Sequence, residues 1–228
     1  MATYTIDSIK SDVLILLDEY NASTTLLDED LYAHTLNDMI GERIVDAVKQ
    51  VIARAPLDVF QHDDCTSFAQ VKNAQGNLVK RTITWDTSDK YSGVGSVSLP
   101  DDFFRLIKFK MSDWKRPVFV AISEADEDYA MQRSPYKGVR GNTENPVCAI
   151  VIDAQSKRLE FFSCKKKKTE TISSALYIPY PSITNNGISI PERCYESVIY
   201  TIGAMVCFAL KQQELGTVLN ELSKSSMV

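Results

Sequence analysis

An α+β fold is predicted by three features of the sequence. Two amphipathic helical patterns precede residue 57, short strand patterns with turn residues fill 57–181, and a strongly apolar helical pattern follows Pro191. Helices and strands are thus segregated along the chain instead of alternating, which is the arrangement of α+β domains. The 228 residues read as one domain: a helical segment over 1–56, a β-rich segment over 57–181, a closing helix over 182–222 and a flexible tail over 223–228. The expected architecture is an N-terminal helical pair, a central antiparallel β region holding a short helix, and a long C-terminal core helix.

The first helix is expected over 6–20, where Ile6, Ile9, Val13, Leu16, Leu17 and Tyr20 recur at helical spacing. Asp7 and Asp12 lie in its early turns, at the positive end of the helix dipole. Asn21-Ala22-Ser23-Thr24 breaks the pattern, and Asp28-Glu29-Asp30 reads as a solvated acidic turn. A second helix is expected over 35–54 on the stripe Leu36, Ile40, Ile44, Val48, Val51 and Ile52, with Arg54 in its last turn and Pro56 just past it. Each helix must bury one face.

Strand patterns follow. Residues 68–72 and 78–85 flank Asn73-Ala74-Gln75-Gly76-Asn77, a hairpin loop containing Gly. Further strands are expected over 94–99, 104–111, 117–121, 147–152, 159–163 and 172–178. Ser123-Glu124-Ala125-Asp126 resembles a capping box opening a short helix that ends near Gln132. Residues 134–145, rich in Gly and charge, read as a long surface loop.

The closing helix opens at Ile190-Pro191-Glu192, with proline at the first helical position and a carboxylate beside it. Val198, Ile199, Ile202, Met205, Val206, Phe208 and Leu210 make it apolar on nearly every side, so it is expected deep in the molecule and continuing towards Leu222. Gly203 admits a close neighbour. The tail Ser223-Lys224-Ser225-Ser226-Met227-Val228 has no reason to be ordered alone.

Composition excludes several function classes. The five cysteines are irregularly spaced and form no C-x-x-C pair, so they read as reduced, buried thiols. The uncharged stretch 197–210 is too short to cross a hydrocarbon layer of about 30 Å, and the first residues carry no secretory pattern. Net charge is −5, but residues 1–60 hold 11 acidic and 4 basic side chains against 19 and 21 in the remainder. That balance is not the footprint of a general nucleic-acid binder. No Walker loop, dinucleotide-binding or nucleophile-elbow motif occurs. His34 and His62 are the only histidines, and His62-Asp63-Asp64-Cys65 lacks metal-ligand spacing. Asp101-Asp102 and Asp63-Asp64 read as solvated turn carboxylates. No catalytic, cofactor or metal residue is assigned, and the chain is expected not to be an enzyme. The one concentrated basic feature is Lys165-Lys166-Lys167-Lys168, near a loop tip, which suits a solvated turn, an acidic protein partner or a phosphate contact.

One constellation carries a resemblance. Val97-Ser98-Leu99-Pro100-Asp101-Asp102-Phe103-Phe104-Arg105-Leu106 holds an L-P-x-D-F-x-R-L segment after a helical pair. The short helix, a loop with Ser134-Pro135-Tyr136, Arg158-Leu159-Glu160-Phe161-Phe162, Ala175-Leu176-Tyr177-Ile178-Pro179 and Ile188-Ser189-Ile190-Pro191 follow in order. This resembles the head-to-tail connector (adaptor, tail-tubular) proteins of short-tailed bacteriophages and, in its lysine- and asparagine-rich style, the ring proteins of crAss-like phages. The resemblance implies a virion subunit made in a bacterial cytoplasm. It would form a ring, commonly of twelve copies, between the portal protein and the next tail or ring protein, with DNA passing through without sequence-specific binding. The family's C-terminal segment commonly docks on the portal, which would assign Leu219, Leu222, Met227 and Val228 to that contact. The acidic front would line the channel and repel phosphate, or simply coat an exposed helical surface. The alternatives are another phage assembly or chaperone protein, or a small enzyme or nucleic-acid processor with an unrecognised site.

Overall fold

Ile9, Val13 and Leu17 fall four residues apart and are all buried, so they lie along one face of a helix. In the computed structural model, strand β1 (Ala2–Tyr4) leads into this helix, α1 (Ile6–Tyr20). The structure describes all residues except 21–28, 73–75, 87–92, 135, 137, 154–155, 166–169 and 228, with side chains left aside at 18–20 and 29–35. The expected break at 21–24, Asp28, the hairpin-loop residues 73–75 and Pro135 therefore lie outside the described residues. Helix α2 (Glu29–Arg54) starts six residues before the expected 35. Glu29 and Asp30, read as a solvated turn, belong to its first turn. Ile40, Ile44, Val48, Val51 and Ile52 are buried as the stripe requires, and Ala47 joins them.

The β region begins with β2 (Thr66–Ser67), β3 (Gln70–Lys72), β4 (Leu78–Lys80), β5 (Thr84–Trp85), β6 (Gly95–Ser98) and β7 (Phe103–Met111). Then come β8 (Ile122–Ser123), helix α3 (Glu127–Gln132), β9 (Cys148–Asp153), β10 (Ser156–Phe161) and β11 (Ile172–Pro179). Among the described residues, two sheets result, one of order β5-β6-β10-β9-β8 and one of order β2-β11-β7, while β3 and β4 pair only with each other. Pairing is antiparallel except between β8 and β9. Both larger sheets contribute to one core, with Phe109 of β7 lying 6.0 Å from Phe161 of β10, ring centre to ring centre. Phe68 packs at the centre of the β7–β11 side, 6.0 Å from Phe109 and 5.8 Å from Tyr177. The other face of the five-stranded sheet is covered by α3, whose Tyr129 meets the buried Phe162 edge to face.

Two expected elements change here. Residues 117–121 form one isolated bridge, Phe109 to Val118, and no strand. Pro117 has no N–H to donate to a ladder, and Phe119 and Val120 are exposed. The short helix starts at Glu127, because the Asp126 carboxylate accepts the Ser123 N–H (2.6 Å) one turn upstream and closes a turn of its own.

The chain then adds β12 (Ile183–Thr184) and β13 (Gly187–Ile190), and β13 pairs with β1 to make a sheet of order β1-β13-β12. Gly187 has φ +116°, and a Cβ there would fall 2.0 Å from the Tyr4 carbonyl oxygen, so only glycine fits this crossing. A 3-10 turn (Glu192–Cys194) follows Pro191, and helix α4 (Tyr195–Ala209) begins after it. Ser197, Val198, Thr201, Ile202 and Val206 are all buried, since α4 packs against α1, α2 and the last helix, α5 (Gln213–Ser225). Gly203 receives side chains, not backbone: a Cβ there would come within 3.1 Å of Leu16 and 3.2 Å of Leu219.

The closing helical segment is therefore two helices. Lys211 takes φ +63°, its N–H donates to the Phe208 carbonyl (3.1 Å), and the Gln212 N–H donates to that of Cys207 (2.8 Å). This is a Schellman termination with lysine in place of the usual glycine. The expected flexible tail is corrected as well. Helix α5 runs through Ser225, and Ser223 and Met227 are buried.

The chain divides into two compact units, one of Met1–Asp64 with Tyr180–Val228 and the other of Cys65–Pro179. The N-terminal helices and the closing helices thus share the first unit, and the strands from β2 to β11 make the second. Among the described residues, no helix is long and apolar enough to cross a membrane.

Candidate interaction surfaces

Two of the four residues singled out as docking groups at the C-terminus are consumed by folding. Leu219 is fully buried where α5 meets α4, and Met227 is also buried, so neither is presented to a portal. Leu222 is half-buried, and Val228 lies outside the described residues. Sequence reasoning missed the reason, which is polar. The Ser223 hydroxyl lies within 2.6 Å of Thr201 Oγ1 and 2.9 Å of the Ser197 carbonyl, and it also accepts from the Arg54 guanidinium. Arg54 donates to Thr201 Oγ1 as well (2.8 Å), and burial pulls its pKa down. Three helices are locked through one serine of the supposed tail.

Of the lysine run, Lys165 is exposed and its backbone N–H donates to Asp113 (2.6 Å), while Lys166, Lys167 and Lys168 lie outside the described residues. Of the carboxylates set aside as turn residues, Asp64 and Asp102 have structural partners. Asp64 is buried and pairs with the Met1 ammonium (2.9 Å) and the Gln61 N–H (2.9 Å). These groups line a cleft of about 250 Å³ together with Asp63, Glu192 and Arg193. Among the described residues, no three His, Cys, Asp or Glu side chains gather as metal ligands. Burial pushes the thiols of Cys148, Cys164 and Cys207 up, away from thiolate chemistry.

Three of the segments that carried the resemblance converge in the second unit, while the helical pair and Ile188-Ser189-Ile190-Pro191 belong to the first. β7 and β11 pair with Pro179 opposite Phe103 and Tyr177 opposite Leu106. Tyr177 stacks on Phe103 at 5.6 Å and donates its hydroxyl to Asp102 (2.7 Å). Arg158 and Leu159 lie opposite Ser98 and Val97, and the Leu99 N–H donates to the Lys157 carbonyl (2.9 Å). Glu160 is buried under hydrogen bonds from Tyr129, Arg133 and Arg158, which fastens α3 to the sheet. Three motifs, far apart in the chain, thus make one corner.

Two exposed surfaces stand apart from these networks. On α2, Asp38, Glu42 and Asp46 are exposed at four-residue spacing, along one face, and Asp46 also pairs with Lys49 (3.3 Å) one turn on. In the second unit the β3–β4 hairpin exposes every one of its six paired residues. The strand pattern located the hairpin, but its exposure was not legible, because alternation reports a buried face only when a layer covers it. Compared with protein-family models and with curated proteins, the sequence matches none.

Proposed function

We propose that this chain is a structural subunit of an oligomeric ring that joins a phage portal to its tail and lines the DNA channel. The observation that supports the reading best is the convergence of the L-P-x-D-F and A-L-Y-I-P segments through the Tyr177–Asp102 hydrogen bond and the Tyr177–Phe103 stack, with the R-L-E-F segment joined by the pairing of Arg158 and Leu159 with Ser98 and Val97. Segments that resemble connectors in order also depend on one another in space, as parts of one inherited corner would.

A ring around DNA needs side-to-side contacts and a lumen that does not hold phosphate. The acidic balance of residues 1–60 supplies a surface that repels it. The portal contact is not assigned to Leu219 or Met227, which are buried. Neighbouring copies, the portal, the next tail component and non-specifically passing DNA are the partners of this reading, and no catalytic group is needed.

Negative-stain imaging of the protein mixed with portal assemblies tests it. Rings stacked on the portal are expected. A protein that never decorates portals at micromolar concentration would require another role in assembly.

A further inference from the structure

We propose that the β3–β4 hairpin of one copy docks on the acidic face of α2 in a second copy of this chain, a head-to-tail contact. The inference rests on the ring reading and specifies its side-to-side contact.

Among the described residues, the hairpin is joined to no other sheet. Its register pairs Gln70 with Lys80, Val71 with Val79 and Lys72 with Leu78, and the Arg81 N–H to the Ala69 carbonyl (3.0 Å) extends it by one step. Two strands alone are marginal in water. Here the root is held, since Phe68 is buried in the core and Arg81 donates to the Ser98 carbonyl. The strands beyond that root are solvated. Residues directly opposite share a face, so Val71 and Val79 make an apolar pair on one side, 42% and 39% exposed. Leu78, 63% exposed, sits among Lys72, Lys80 and Gln70 on the other. Apolar strand edges left open are pairing sites that soluble proteins normally cover.

Charge selects the occupant. No acidic residue occurs between Asp64 and Asp86, and the same stretch carries Lys72, Lys80 and Arg81. The acidic counterpart is on this chain: Asp38, Glu42 and Asp46 form an exposed row on α2. A nucleic acid suits the hairpin less well. Its apolar side chains gain nothing from a phosphate backbone, and the nearest indole, Trp85, is engaged edge to face with Phe161 at 5.4 Å and is not offered to bases. The two patches differ, so the contact is heterologous and repeats around a ring or along a filament.

A paired charge reversal tests the contact. One variant carries Lys72→Glu with Lys80→Glu, the other Asp38→Lys, Glu42→Lys and Asp46→Lys, and sedimentation velocity at low salt follows association. Wild type is expected to associate with concentration, and each variant alone to associate roughly tenfold more weakly or worse. An equimolar mixture is expected to recover, because each reversed patch then meets its complement. Thermal melts check folding, and Leu78→Ser with Val79→Thr gives an uncharged variant expected to weaken association at unchanged net charge. A wild type monomeric at every concentration, reversals that leave association intact, or a mixture that stays apart would overturn the proposal. So would hairpin reversal that abolishes DNA retention while self-association persists. Portals decorated normally by the hairpin-reversed protein would overturn this contact and leave the ring reading standing. Recovered pairing in the mixture without portal decoration by wild type would do the opposite.

Discussion

Ser223 shows how a single hydroxyl changes the meaning of a segment. It is fully buried and bridges α5 to Thr201 and Ser197 of α4 and to Arg54 of α2. Ser223→Ala leaves the Arg54 guanidinium short of an acceptor, at a cost of about 1–3 kcal/mol. Urea denaturation should show a lower midpoint with an unchanged slope. Tyr195 supplies a pH-dependent counterpart. Burial, and then its hydrogen bond to Asp12 (2.5 Å), push its pKa up to about 12 from an ordinary 10. The folded state therefore holds the proton more tightly than the unfolded chain. Its contribution is complete below pH 10 and is lost as pH rises towards 12. Alkaline unfolding of Tyr195→Phe should be shallower across that window than that of wild type.

At the scale of elements, α4 decides whether the first unit folds. Ile202 is fully buried on it, and Ile202→Asp places a carboxylate there at a cost of several kcal/mol, enough to unfold the unit. A soluble variant with wild-type melting would contradict the architecture. The α4–α5 junction carries the opposite prediction. Lys211 holds a left-handed conformation that glycine adopts freely, so Lys211→Gly should stabilise by about 0.5–1 kcal/mol, read as a raised melting temperature. Removing residues 220–228 should lower it, because Ser223 and Met227 go with them. A polar run after an apolar helix gives no sign that its serine will be buried; only the arrival of Arg54 and Thr201 from two other helices makes that burial favourable.

The whole molecule is organised as an insertion. Residues 65–179 form one unit between the two segments of the other, and β2 pairs with β11 so that Thr66 lies opposite Tyr177. Its ends are neighbours and its aromatic core is its own, so the excised segment 65–179 should unfold as one cooperative transition. Calorimetry of that fragment checks this, and a molten baseline without a transition would show that the unit depends on the rest of the chain. The helical stripes, most of the strands, the hairpin and the α+β class were legible, because each follows from local periodicity and turn residues. Strand β1 was not, since three residues carry no periodicity and Ala2–Tyr4 becomes a strand only beside Gly187–Ile190. Nor was the split of the last helix, where lysine fills a position that glycine usually marks. By itself the sequence determined which faces are apolar, where turns fall and where charge gathers, all properties of neighbouring residues. The tertiary structure alone decided which polar groups are buried, which chain ends meet and which hairpin stays uncovered, because each depends on surfaces brought together from distant segments.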